Sequence, residues 1–259
     1  MAARSDSWEL VHHNIEIWGT VISISIPRRD YREAEFLQSC EEAEDYYQEI
    51  DRAFSTFKND SEISRLRKGT LDISDARPDV KIVWNRCLEI REMTKRAFDP
   101  WAVEGGFDPS GFVKGWAAQH SLEYFARRGF QRIQINAGGD IVLRGGYDEN
   151  TPWVVGIRHP DHSDHIAKSY EIYDGAIASS GTYERGAHII DPRVGVPAVG
   201  ARASTVIGPD AGIADALATA LIVDGRDSVS WLGDSSLRNY QFWAVDRYGD
   251  GAWSYQNPE

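Results

Sequence analysis

Cysteine, methionine and surplus positive charge are what this 259-residue sequence has least of. The two cysteines, Cys40 and Cys87, form no CxxC knuckle and no disulfide framework, so they read as buried thiols. Lys and Arg number 28 against 40 Asp and Glu, a formal charge of −12, and no basic cluster stands out. A surface that tracks nucleic-acid phosphates is thereby excluded. No apolar run exceeds four residues, which excludes a membrane-spanning helix. The N-terminus, MAARSDSWELVHHN, lacks the apolar centre of a secretory signal and a cysteine to take a lipid. The expectation is a cytoplasmic protein, with export through a trimmed leader as the alternative. What is present is a core: 42% hydrophobic residues, with nine Trp, eleven Tyr and nine Phe, suffice for one large domain or two small ones.

Strands and helices alternate without a repeat period. Ile15 to Ile26 alternates apolar and polar residues and ends at Pro27, which predicts one half-buried strand. Asp30 to Phe54, with Ala34, Leu37, Tyr46, Tyr47, Ile50 and Phe54 mostly on one stripe, predicts a long amphipathic helix. Ser61 offers the N-cap of a short helix ending at Gly69. Val80 to Ala97 predicts a second long helix, stopped by Asp99-Pro100. Residues 98–115 form a Gly- and Pro-rich loop of the ordered length that is usually functional. A helix over Lys114 to Arg128 follows, then strands at 132–136, 141–144, 153–158, 169–173, 188–190 and 204–208, a helix over 210–223 and a closing strand at 242–246. Antiparallel hairpins covered by a few long helices make an α+β domain, and no linker divides it.

Four segments carry chemistry. In Asp108-Pro-Ser-Gly-Phe-Val-Lys114-Gly115, two glycines bracket a helix start, where backbone groups approach a ligand and the helix dipole favours an anion. The spacing does not fit GxxxxGK[ST], and Asp-Pro-Ser-Gly is also ordinary turn chemistry. Asn136-Ala-Gly-Gly-Asp140 lies between two strands and reads as a hairpin turn or as room for a flat ligand. It lacks the GxGxxG spacing of a dinucleotide site. Ser179-Ser-Gly-Thr-Tyr183 and His188-Ile-Ile-Asp191-Pro-Arg-Val-Gly195 supply hydroxyls, an imidazole, a carboxylate and a guanidinium, but no GxSxG elbow. In the helix from Asp210, Ile213, Leu217 and Leu221 form a packing stripe, while Asp215 and Thr219 stack one turn apart on another face. Two oxygen ligands on a rigid element suit Mg²⁺ better than zinc; an exposed Asp beside a helical Thr is the alternative. His159, His162 and His165 match no common zinc spacing and read as solvent-facing.

These segments, together with Trp18-Gly19-Thr20, Phe54-Ser-Thr-Phe57, Ser61-Glu-Ile-Ser, Phe98-Asp-Pro100 and Ala214-Asp-Ala-Leu-Ala-Thr219, resemble in order the ApbE family, the FAD:protein FMN transferases. The resemblance runs from about residue 15 to 245. It implies a two-layer, T-fold-like single domain over residues 15–250, between an N-terminal tail (1–14) and a C-terminal tail (251–259). It implies magnesium held by the Gly111 carbonyl, Asp215 and Thr219. It implies flavin contacts at Trp18, Phe57, Ala97, Phe98, Asp99, Asp108, Lys114 and Ile190. Trp18 stands where many relatives have Met, Ala218 where some offer a second carboxylate, and the stretch between Phe98 and Asp108 is shorter than in many relatives.

The implied reaction follows from charge. A protein at −12 must neutralise the FAD pyrophosphate locally, a task for Mg²⁺ and Lys114. A Thr or Ser hydroxyl of an acceptor flavoprotein attacks the FMN-side phosphorus, and AMP leaves. His188 and Asp191 are the candidates for removing the hydroxyl proton. Two other functions share these residues: an FAD pyrophosphatase releasing FMN and AMP to water, and an FAD-binding protein without turnover.

Overall fold

The structure, a computed structural model, describes residues 9–162, 164–181, 189–249 and 251–257. Its first departure from the sequence reading is at Trp18. Instead of one strand from Ile15, the chain makes a hairpin of β1 (Leu10–Ile17) and β2 (Thr20–Pro27), reversing at Trp18 (φ 56°) and Gly19 (φ 68°). Two consecutive positive φ angles define the turn whose twist matches paired strands. A Trp there is unusual, because its Cβ crowds the backbone. Ile22, Ile24 and Ile26 of β2 all point into the core, as the alternation predicts.

Two helix ends and two helix faces also differ. α1 (Glu33–Phe54) buries Phe36, Cys40, Ala43, Tyr47, Ile50 and Phe54, leaving Leu37 outside. α2 (Glu62–Arg67) is capped by Ser61, whose hydroxyl accepts from the Ser64 N–H at 3.0 Å. α3 (Pro78–Met93) stops before Asp99-Pro100, because Lys95 and Arg96 adopt positive φ; it buries Val80, Val83, Cys87 and Ile90 and exposes Ile82 and Leu88. α4 (Ser110–Arg127) begins inside the expected loop, with a kink at Gly111.

The remaining strands are β3 (Ile133–Ala137), β4 (Asp140–Arg144), β5 (Trp153–Arg158), β6 (Ile166–Ile172), β7 (Gly175–Gly181), β8 (Ile190–Asp191), β9 (Val196–Pro197), β10 (Ala201–Gly208), β11 (Gln241–Asp246) and β12 (Ala252–Gln256). With β1 and β2, six of these form one eight-stranded antiparallel sheet in the order β1-β2-β3-β4-β7-β10-β11-β12. β1 and β12 extend this sheet into residues that the sequence assigns to the tails. The chain follows one plan twice. Two strands, a helical excursion and two strands build β1 to β4; β7, β10, the helix α5 (Ala211–Asp224), β11 and β12 build the other half. One face of the sheet packs on the helices, the other on the β5–β6 hairpin through Trp153, Val155 and Ile157. His162 and His165 are exposed as expected, and His159 is half-buried.

The two halves meet where α4 crosses α5. A Cβ on Gly115 would lie 2.4 Å from the Ala211 carbonyl oxygen, and one on Gly212 would lie 2.8 Å from the Phe112 ring. Gly115 therefore serves helix packing, not the approach of a ligand. Gly115→Ala should destabilise the protein by about 3 kcal/mol, the upper range for overpacking, because the obstacle is backbone. Urea unfolding checks this, and a loss below about 0.5 kcal/mol would contradict the contact.

Candidate active site

α5 is apolar and buried almost all round, so its one mid-helix carboxylate lies in the interior. Asp215 is 4% exposed, which removes the solvent-facing alternative. α4, running the opposite way across it, brings Lys114 to Asp215, Nζ to Oδ2 at 3.6 Å, and Gly111 to Thr219. A Cβ on Gly111 would sit 3.4 Å from the Phe98 ring and 3.7 Å from the Thr219 hydroxyl. Gly111, at φ −80° and ψ 17°, departs from helical geometry, so its carbonyl is turned from the helical direction. Ser180 of β7 approaches Thr219 from the sheet, hydroxyl to hydroxyl 3.4 Å. The three residues that the resemblance assigns to magnesium are thus gathered at one crossing, with Lys114 and Phe98 beside them.

Asp140 completes the group and is absent from the sequence-derived set. Residues 138 and 139 form a two-residue hairpin turn (φ 63° and 105°), so the hairpin reading of Asn136-Ala-Gly-Gly-Asp140 holds. The first residue after that turn accepts a charge-assisted hydrogen bond from Lys114. The alternation of β4 was the available signal, since it puts Asp140 on the same face as buried Val142.

The other expected residues have surroundings of their own. Asp99 is held by the Nε atoms of Arg91 and Arg96 at 2.9 and 3.0 Å and by the Trp101 N–H, so its carboxylate anchors the loop. Asp108 accepts from the Ser110 N–H at 3.0 Å in the turn that leads into α4. Ala97 is buried. Trp18 packs edge-on against Tyr47, with ring centroids 5.4 Å apart. Phe57 is 96% exposed on a turn fixed by the Ser55 hydroxyl, which accepts from the Phe57 and Lys58 N–H groups. Ile190 is exposed on the β8–β9 hairpin. Asp191 is gripped by Arg193, whose hydrogen bonds hold the carboxyl below the usual range. Arg193 also reaches buried Asp224 at 2.6 Å, nine residues along α5 from Asp215 or about 13 Å. A carboxylate so engaged is a poor proton acceptor. His188 lies outside the described residues.

Burial pushes the Asp215 carboxyl up to about 7; nearby Asp140 adds to the rise and Lys114 opposes it. Burial draws the Lys114 ammonium down, but Asp140 and Asp215 outweigh this and leave it above its ordinary value. Asp215 Oδ2 is buried without a hydrogen-bond partner. A carboxylate oxygen without a hydrogen-bond partner, on a helix that also carries the Thr219 hydroxyl near Gly111, suits a hard divalent cation. Among the described residues no three His, Cys, Asp or Glu side chains are grouped to hold a metal. A cavity of about 330 Å³ lined by His159, His162, Arg202 and Trp243 lies on the opposite face of the sheet from this chemistry.

Fold and site together define a single-domain α+β protein with a polar oxygen cluster where the helices of its two halves cross. The sequence matches the ApbE family over residues 18–105 and 103–241, and the chain belongs to that family. It is 26% identical over 280 aligned positions to the FAD:protein FMN transferase of Vibrio cholerae, covering 85% of this chain and 83% of that one. It is 34% identical over 130 positions to the FAD:protein FMN transferase of Escherichia coli K12, covering 46% and 37%. The fold superposes on the flavin transferase ApbE of Vibrio cholerae with a TM-score of 0.81 at 22% identity, covering 96% and 97% of the two chains. It superposes equally, at 21% identity, on the ApbE protein of Thermotoga maritima.

The buried carboxyl has a measurable consequence. Asp215 ionises near 4 when unfolded and at about 7 in the folded, cation-free protein, so between those values the folded state binds more protons. Its ionisation therefore costs stability as pH rises through that window. Asp215→Asn removes the cost and leaves Lys114 paired with Asp140. Thermal unfolding in EDTA should show the variant more stable than wild type at about pH 8, the gap closing by about pH 4.

Proposed function

We propose that the chain is a Mg²⁺-dependent FAD:protein FMN transferase, which moves FMN from FAD to a Thr or Ser hydroxyl of an acceptor flavoprotein and releases AMP. The observation that carries this reading is the orphaned Asp215 oxygen beside Thr219, Gly111 and Lys114. The relatives bearing that name support it.

Asp215, Thr219 and the Gly111 carbonyl would hold the cation, which when bound supplies Lewis acidity to phosphoryl oxygens. Lys114, its side chain 28% exposed, offers an ammonium to the pyrophosphate. Phe57 and Trp18 offer aromatic faces to the isoalloxazine ring. The acceptor hydroxyl forms a bond to the FMN-side phosphorus as the anhydride bond to AMP breaks, and its proton must leave. With Asp191 engaged by Arg193, we assign that proton to His188.

Asp215→Asn and Thr219→Val should each lower FMN transfer by about a hundredfold or more, since losing a metal ligand costs at least as much as losing its supporting partner. FAD binding should persist in part, because ring stacking does not need the cation. Mass spectrometry of an acceptor incubated with FAD and Mg²⁺ reads the FMN adduct. Undiminished transfer by Asp215→Asn, or in EDTA, contradicts the reading, and FMN and AMP formed without any adduct would mark a pyrophosphatase.

Trp18→Ala should weaken FAD about tenfold while the fold survives, as one aromatic stacking surface is lost. Fluorescence titration of FAD measures this, and an unchanged affinity removes Trp18 from the flavin site.

A further inference from the structure

At the helix crossing two buried carboxylates face one ammonium. The side chains of Asp140 and Asp215 are 3% and 6% exposed. Lys114 donates to Asp140 and makes only a longer ion pair with Asp215 Oδ2, at 3.6 Å, and this Asp215 oxygen has no hydrogen-bond partner. The lysine side chain is a flexible stem, so its resting place is decided by whichever anchor is firmer.

Asp140 is the firm anchor. It follows the Gly138-Gly139 turn, which is closed by the Asn136 carboxamide oxygen accepting from the Gly139 N–H at 2.9 Å. The turn is also wedged against β2, since a Cβ on Gly138 would lie 2.7 Å from the Thr20 hydroxyl. Without Asp140, the ammonium would have a single buried carboxylate within reach and would close on it. Asp215 would then be satisfied internally, and its oxygen would be lost to a cation.

We propose that Asp140 is a positioning residue: its carboxylate draws the Lys114 ammonium aside and keeps the Asp215 oxygen open to a divalent cation. This rests on the reading of Asp215 as a cation ligand.

Mg²⁺ binding to the full chain without FAD, measured by titration calorimetry, provides the test. Asp140→Asn should weaken Mg²⁺ about tenfold or more, the usual effect of losing a ligand's supporting partner. Lys114→Met should then recover most of that loss in the Asp140→Asn background, while changing wild-type affinity by less than about threefold. A carboxylate acting only through its charge predicts equal gains from Lys114→Met in both backgrounds, and that result overturns the proposal. So does wild-type affinity in Asp140→Asn, or a large gain from Lys114→Met alone, which needs no Asp140 variant to fold. In either case the cation site itself would stand. Asp140→Ser provides a second neutral variant, and the surviving Lys114–Asp215 pair should let both fold, as near-ultraviolet circular dichroism would show. If wild type and Asp215→Asn both fail to bind Mg²⁺, the cation site falls along with the positioning role.

Discussion

The contact between Gly115 on α4 and the Ala211 carbonyl on α5 fixes almost everything that follows. Two helices ordinarily pack 8–10 Å apart because side chains separate them. Here the separating side chains are missing on both sides, at Gly115 and Gly212, so backbone meets side chain or backbone directly. Only at such a distance does Lys114 reach Asp215 and Gly111 lie beside Thr219. The same proximity makes α5 buried nearly all round, and that burial puts its carboxylate where a partner is needed.

An unsatisfied carboxylate oxygen in an interior is expensive, and proteins keep such groups where chemistry uses them. The cost is contained by arrangement. Asp215 is flanked by the Lys114 ammonium, 3.6 Å away, and carries Thr219 one helical turn along. The neighbouring charged cluster at the far end of α5 is arranged in the opposite way. Asp191, Arg193, Asp224 and the Trp231 N–H satisfy one another, which suits a clamp that fastens the β8–β9 hairpin to the helix.

Much of this was legible in the sequence because it depends on short-range rules. The one-turn spacing of Asp215 and Thr219, the Ser61 cap and the Gly-Gly hairpin before Asp140 are all local, and they stand as the residues predict. What was not legible depends on partners distant in the chain. Nothing near Asp140 announces that a lysine 26 residues earlier will bond to it. Asp99 and Asp191 have the composition of site residues, yet arginines claim both carboxylates, and that is decided by tertiary packing. The β1–β2 turn was missed for another reason: Trp-Gly carries no turn signature, and a long alternating run hides a reversal in its middle.

The doubled plan of the sheet divides the chemistry between the halves. Gly111, Lys114 and Asp140 belong to the first; Ser180, Asp215 and Thr219 belong to the second. Neither half assembles this cluster by itself, and the groups that must meet are separated by roughly a hundred residues of chain, a contact of the kind that forms late in folding. A nascent chain that has emerged only through β4 already has its lysine and the Asp140 carboxylate, but not the helix α5 that brings Asp215 to them. The cluster is therefore assembled in one step, when the second half docks, and a truncated or half-unfolded chain lacks it altogether instead of holding part of it.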